Sequence, residues 1–152
     1  MTDQQEQVLA DFVGGGCGFL ALHNSTALRC IDDTPTLYRD VLGSSYSGHG
    51  PADEHFEVRI EDAGHFVAAG VKDYPAVDER HWPVMHTDDA TILTRAYSDT
   101  GTSVNGYVRT YGKGRVCYLA NGHTAEMLGC DSMQTLMNNA TRWCSGRDVD
   151  GI

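Results

Sequence analysis

Hydrophobic positions change period several times along the chain, and each change predicts an element. Between Asp3 and Val13 the apolar residues Val8, Leu9, Phe12 and Val13 keep helical spacing, and Gly14-Gly15-Gly16 ends the run. Gly18–His23 (GFLALH) is instead a continuous apolar run closed by histidine, which predicts a short strand covered on both faces, the habit of parallel sheets. A second helix is expected over Thr36–Leu42, with Thr34 as candidate N-cap, Pro35 at the first helical position and Gly43 as the stop. After a polar, glycine-containing stretch, His55–Ile60 and Thr91–Tyr97 alternate as half-buried strands do, and Gly106–Tyr111 and Arg115–Ala120 flank the turn Gly112-Lys113-Gly114 as a hairpin. Asp131–Trp143 places Met133, Leu136, Met137, Ala140 and Trp143 on one helical face, with Asp131 as N-cap and Gly146 as terminator. The tail after Gly146 is expected to fray. With no repeat, low-complexity segment or linker, the pattern predicts one domain over residues 1–152, an α/β fold with a largely parallel sheet flanked by helices.

Composition narrows the class. A formal charge of −10 repels nucleic acid and anionic membrane surfaces, so neither is expected as a partner. The start MTDQQEQVLADFV has neither a basic nor an apolar leader segment, and no apolar run approaches the ~20 residues of a membrane span. A soluble, cytoplasmic protein is expected. The five cysteines are odd in number and widely spaced without a CxxC pair, which argues against a disulfide framework or a cysteine zinc site. Seven histidines beside only eleven lysines and arginines are the usage that suggests a metal site.

Within GGGCGFLALHNST, either Cys17 or His23 could be the reactive residue. A parallel strand over Gly18–His23 puts them roughly 20 Å apart, at opposite ends of the sheet. Ligands of open α/β sheets bind beyond the carboxyl ends of the strands, which selects His23 and the turn Asn24-Ser25-Thr26 and leaves Cys17 as a structural thiol. His23 has company: His123 follows a strand in Ala120-Asn121-Gly122-His123, His49 sits in the glycine-rich loop Gly48-His49-Gly50, and Asp78-Glu79-Arg80-His81 adds carboxylates and an imidazole. Each has an ordinary structural reading. Converging on one rim, they form a constellation for metal ligation or acid–base chemistry.

An ordered set of motifs runs nearly the full length of the chain: Gly15-Gly16-Cys17-Gly18-Phe19-Leu20-Ala21-Leu22-His23; Leu37-Tyr38 through Gly43 to Gly48-His49; Gly64-His65; Asp78-Glu79; Tyr111-Gly112-Lys113-Gly114-Arg115-Val116; Gly122-His123; and Asn139-Ala140-Thr141-Arg142-Trp143. The set resembles the ThuA-like (trehalose-utilisation) proteins, whose fold looks like that of class I glutamine amidotransferases. The resemblance implies a flavodoxin-like or amidotransferase-like sandwich with His23 at the elbow position usually held by a nucleophilic cysteine, which disfavours glutamine hydrolysis through a thioester. It also implies sugar metabolism, with oxidised disaccharides or glycosides as substrates. On a 3-keto sugar, removal of the proton beside the carbonyl gives an enolate that a divalent metal or a cationic side chain stabilises before the glycosidic oxygen leaves.

The chain departs from the family pattern at Phe66 (in place of proline), at His81 (in place of tyrosine) and at Tyr107 (in place of tryptophan). The family also begins with further strand–helix units, so this chain reads as N-terminally shortened. A second copy is then expected to cover the open sheet edge, most simply in a symmetric dimer. The expected metal ligands are His23, His49, Glu79 and His123, a donor set suited to Zn²⁺, Mn²⁺ or Fe²⁺, and no organic cofactor is expected. His81 serves as substitute ligand or general base, so the catalytic candidates are His23, His123, Glu79 and His81, with Asp78 orienting a neighbouring imidazole. Asn24, Ser25, Tyr46 and Arg115 are the candidate contacts to a small-molecule substrate, Tyr46 as a stacking wall and Arg115 with the alternative role of pinning the hairpin. His65 is expected to fix a loop, His55 and His86 to be solvated, and Tyr38 and Trp143 to be core. Three functions stay open: a metal-assisted hydrolase or lyase on a carbohydrate or glycoside, a metal-free histidine acid–base enzyme on another small molecule, and a non-catalytic binding or assembly module.

Overall fold

The computed structural model describes residues 1–29 and 35–147; Thr34 and the tail beyond Arg147 lie outside the described residues. Helix α1 (Asp3–Gly14) starts at a capping box, with Thr2 Oγ1 accepting the Gln5 amide at 3.3 Å and Gln5 Oε1 accepting the Thr2 amide at 2.8 Å. Strand β1 (Phe19–Leu22) leads into a 3₁₀ helix, His23–Ala27. Helix α2 (Leu37–Leu42) is capped by the Thr36 side chain on the Arg39 amide, so Pro35 precedes the cap instead of opening the helix. Gly43 takes a φ of 83° and ends α2 in the left-handed conformation.

Strand β2 (Ser44–His49) pairs antiparallel with β5 (His81–Met85) in a two-stranded ribbon. The main sheet adds β3 (Glu54–Ile60), β4 (Tyr74–Asp78), β6 (Thr91–Ser98), β7 (Gly101–Tyr111) and β8 (Gly114–Leu119), in the order β1-β8-β7-β6-β3-β4. Among the described strands only β1 and β8 run parallel; the other four neighbours in this sheet are antiparallel. The expectation of a largely parallel sheet is therefore corrected: the fold is α/β with a mostly antiparallel sheet. A continuous apolar run reports cover on both faces and says nothing about direction. Direction comes from the short turns Asp99-Thr100 and Gly112-Lys113, which can join only antiparallel strands.

Both faces of the sheet are covered. Helices α1 and α2 bury Val13, Val41 and Leu42 against Tyr107 and Tyr118 on one face. On the other, α3 (Ala125–Gly129) and α4 (Asp131–Cys144) bring Met127, Met133, Leu136 and Ala140 to Leu93 and Leu119. Cys130, not Asp131, caps α4, its Sγ accepting the Met133 amide. The β7–β8 turn lies so close to the α1–β1 turn that a Cβ on Gly114 would sit 2.1 Å from the Val13 carbonyl oxygen. The four described cysteines are free, and no helix among the described residues is long and apolar enough to cross a membrane.

Candidate metal centre

The parallel pair builds the site. Leu22 of β1 stands opposite Leu119 of β8, so the segments that leave their carboxyl ends, His23–Ala27 and Ala120–Thr124, emerge side by side. Glu79 follows β4, and His81 opens β5 opposite His49 of β2, so the ribbon carries two more imidazoles to the same place. His23 holds a positive φ of 42°, a conformation that costs energy outside glycine and is kept here by its neighbours. Ser25 Oγ accepts the Leu22 amide and donates to the Leu22 carbonyl, and the Tyr118 hydroxyl donates to the His23 carbonyl at 3.0 Å.

Four imidazoles surround the Glu79 carboxylate. His81 Nε2 lies 3.0 Å and His23 Nε2 3.4 Å from Oε2, His123 Nδ1 3.7 Å from the same oxygen, and His49 Nδ1 3.3 Å from Oε1. The tight part is His23, Glu79 and His81, whose candidate ligand atoms all fall within 4.8 Å of one another. His23 Nδ1 donates to the Ala120 carbonyl at 2.9 Å, which leaves the Nε2 lone pair directed at the cluster. That Nε2 is buried with no hydrogen-bond partner, as is His81 Nδ1. Two imidazole nitrogens and one carboxylate oxygen, the first preoriented and unsatisfied, fit a divalent first-row ion with positions left open.

Burial and hydrogen bonding favour a neutral His81 and an ionised Glu79 near neutrality. Burial holds the His81 imidazole below its ordinary pKa, against the opposing hydrogen bond to Glu79. For Glu79 burial is the largest influence and raises the pKa, but the His81 hydrogen bond and the charges of His49 and His123 together outweigh it, so the carboxylate titrates below the usual range. Burial, then the Glu79 charge, pushes the Tyr46 phenol up.

Of the candidate residues, the structure brings His23, His49, Glu79, His81 and His123 together, with the Tyr46 ring 5.3 Å from that of His81. His81 belongs to the tight trio, whereas His49 and His123 stand at its rim with side chains 44% and 40% exposed. Asn24 is exposed beside the site, and the Ser25 hydroxyl is spent on the Leu22 turn. Arg115 is at the opposite end of the sheet: it is the second residue of β8, donates to the Trp143 carbonyl at 2.8 Å and lies over the Trp143 ring, which ties α4 to the sheet. Asp78 does not orient an imidazole. Its carboxylate accepts the backbone amides of Gly122, His123 and Thr124, at 2.8, 3.0 and 3.2 Å, and so clamps the loop that carries His123. His65 caps the turn Phe66–Ala68 through Nδ1, and His55 is exposed. His86, also exposed, is hydrogen-bonded to Ser45. Of the three departures only His81 enters the site; Phe66 packs under Arg142, and the Tyr107 hydroxyl donates to the Leu42 carbonyl inside the core.

Sequence reasoning missed the Arg80–Glu54 pair, buried on both sides, which with Ser98 and Thr100 pins the Glu79–His81 segment to the main sheet. Nor could it see the Ala120 carbonyl, since a backbone oxygen leaves no trace in residue type.

These features define an α/β protein with a histidine- and carboxylate-lined centre at the carboxyl ends of its parallel strand pair. The chain belongs to the ThuA family, described as trehalose utilisation, whose model matches residues 1–144. No curated protein matches it in sequence. Among solved structures it is similar to a ThuA-like protein of Parabacteroides merdae (TM-score 0.79, 17% identity, 98% of this chain and 68% of that one). It is also similar to a cytoplasmic protein of Salmonella typhimurium (0.68, 17%, 94% and 59%). A third likeness is to a cold-adapted β-galactosidase of Rahnella (0.65, 21%, 90% of this chain and 20% of that one). The chain thus spans about three fifths of the Salmonella protein and a fifth of the galactosidase.

Proposed function

We propose that His23, Glu79 and His81 hold a divalent first-row ion and that the protein acts there on a carbohydrate or glycoside as a hydrolase or lyase. The observation that carries this reading is the buried Nε2 of His23, without a hydrogen-bond partner, fixed in tautomer by Ala120 and aimed at Glu79. The family description and the occurrence of the fold within a β-galactosidase support a sugar as substrate. When bound, the ion supplies Lewis-acid stabilisation of negative charge developing beside a carbonyl, as on a 3-keto sugar. His49 and His123, at the rim, are the imidazoles that can reach a substrate proton, and Glu79 stabilises the imidazolium that results. Tyr46 presents a ring face and a phenol that stays protonated, fit to pack on a sugar and to donate to its oxygen. The cytoplasmic setting of the Salmonella neighbour is part of the same proposal.

A metal-free alternative rests on the 3.0 Å hydrogen bond that Glu79 already shares with His81, which makes the cluster a ready acid–base relay. Metal analysis of the purified protein, titration with Zn²⁺, Mn²⁺ and Fe²⁺, and turnover of 3-keto glycosides separate the two. Near-stoichiometric metal that is lost together with turnover in His23→Ala supports the first reading. Turnover in protein that takes up none of the three ions selects the second. Retention of turnover by both His23→Ala and Glu79→Ala refutes both.

A further inference from the structure

The turn that carries His23 is held from the core face that α1 and α2 cover. His23 takes a φ of 42°, in the left-handed region that favours glycine, so its conformation persists only where other bonds over-determine it. Within the turn, the Ser25 hydroxyl closes on the Leu22 backbone at both its amide and its carbonyl. Two tyrosines reach the turn from outside. The Tyr118 hydroxyl of β8 donates to the His23 carbonyl at 3.0 Å, and the Tyr38 hydroxyl of α2 donates to the Ser25 carbonyl at 2.7 Å. Tyr118 is 0% exposed and Tyr38 1%, both in the core between the sheet and the two helices. What phenylalanine would lack in either place is the hydroxyl, and each hydroxyl ends on the turn.

Of the two, Tyr118 acts on His23 itself. Two residues beyond it, the Ala120 carbonyl accepts His23 Nδ1 at 2.9 Å. One stretch of chain therefore grips His23 at two points, its backbone through Tyr118 and its ring through Ala120. With both in place, Nε2 stands 3.4 Å from Glu79 Oε2 and the ring 4.0 Å from that of His81. Without the Tyr118 hydroxyl, the buried His23 carbonyl is left with the Thr26 hydroxyl at 3.5 Å, and less opposes a return to negative φ. That return swings the imidazole away from both Ala120 and Glu79. We infer that Tyr118 is a positioning residue for the metal centre: its hydroxyl holds His23 in the left-handed conformation, which keeps Nδ1 on Ala120 and Nε2 toward Glu79. The consequence for metal affinity rests on the ligand role proposed above, whereas the consequence for the His23 tautomer does not.

Long-range ¹H–¹⁵N correlation spectra at about pH 8, above the ordinary imidazole pKa, read the tautomer, and calorimetry with Zn²⁺ reads the affinity. In the wild type His23 carries its proton on Nδ1. In Tyr118→Phe that signature gives way to a mixture of the two tautomers, and the affinity for Zn²⁺ falls by about 10-fold or more. Tyr38→Phe moves both in the same direction, and it carries the comparison where Tyr118→Phe does not fold. Tyr107→Phe is the control for loss of a buried phenol in the same core. Its hydroxyl bonds Ser44 and Leu42, so the variant lowers the urea midpoint and leaves the tautomer and the affinity at their wild-type values. The inference is overturned if Tyr118→Phe keeps the wild-type tautomer or the wild-type affinity, or if Tyr107→Phe shifts them as far. A wild type that takes up no Zn²⁺ refutes the metal reading instead, and the tautomer comparison alone then supports or overturns the role of Tyr118.

Discussion

Removal of the Asp78 carboxylate is the sharpest test of how the site is held. Asp78 is 0% exposed and accepts four hydrogen bonds, three from the consecutive amides of Gly122, His123 and Thr124 and one from Asn121 Nδ2 at 3.3 Å. In Asp78→Ala all four donors lose a charged acceptor. Hydrogen bonds to charged groups contribute roughly 1.5–3 kcal/mol each, which would sum to far more than one residue is observed to supply. The three amides belong to a loop that water can re-enter, so most of their loss is recovered, whereas Asn121 is 1% exposed and stays dry. The expected destabilisation is about 3–5 kcal/mol, a large part of ordinary domain stability. Asp78→Asn retains the volume but turns an NH₂ toward N–H donors and loses about 2–3 kcal/mol. Urea denaturation, with midpoint and slope both measured, gives these values. Since Asp78 holds the His123 loop and not the trio, Zn²⁺ affinity falls far less in Asp78→Asn than in His23→Ala. A loss below about 1 kcal/mol in Asp78→Ala would show that the clamp is not what orders this loop.

Two further outcomes follow from packing and charge. Burial alone would raise the pKa of Glu54, but the hydrogen bonds from Arg80, Ser98 and Thr100 outweigh it and set the folded value below the usual 4.5. Glu54 therefore adds stability that is complete above that value and is lost as pH falls through the folded pKa, so the acid limb of stability measured by urea midpoints is shallower in Glu54→Gln than in the wild type. Gly114→Ala sets a methyl 2.1 Å from the Val13 carbonyl and 2.4 Å from the Cys17 carbonyl, both backbone and unable to yield. It costs about 3 kcal/mol or more on the same assay, and a loss below about 1 kcal/mol would mean that the two turns can separate.

The legible parts of the chain were those where one physical signal decides the outcome. Period and punctuation set α1, α4 and the β7–β8 hairpin to within a residue or two at most ends, because apolar spacing and glycine stops act locally. Strands β2, β4 and β5 left no such mark. Ser44–His49 is SSYSGH, polar and glycine-bearing, and it pairs because β5 lies alongside; Tyr74–Asp78 contains Pro75, tolerated there because β4 is an outer strand of its sheet. At the site, His23 and His123 could be anticipated from positions after strands, since the neighbouring carboxyl ends of parallel strands put following residues together. The convergence of His49, Glu79 and His81 depends on the ribbon, which the sequence does not announce. Arg115 could be read from the sequence as a substrate contact or as a structural pin, because a cation beside a glycine turn looks available until α4 is seen to end on it.

His81 is where the chain's own chemistry diverges from the pattern it resembles, and its substitution asks whether that divergence matters. The His81 side chain is wholly buried, with its ring 4.0 Å from the His23 ring. His81→Phe keeps a ring in that space while deleting the nitrogen that stands 3.0 Å from Glu79. The added volume is small, so stability changes by about 1–2 kcal/mol at most. If His23, Glu79 and His81 are the ligands, two remain, and affinity for Zn²⁺ by calorimetry falls by about 100-fold or more. Glu79 also loses the hydrogen bond that does most to favour its ionised form and titrates higher in the variant. The opposite outcome, affinity within about 3-fold of the wild type while His23→Ala abolishes binding, would move the third ligand to the half-exposed His49 or His123 and make His81 a packing residue. Neither rim imidazole can replace His81 without moving, since the ligand atoms of His23, Glu79 and His81 lie within 4.8 Å of one another and neither His49 nor His123 joins that group. A retained affinity would therefore require the ribbon or the Gly122–Thr124 loop to shift, and hydrogen exchange at Gly122, His123 and Thr124 would register that movement of the loop.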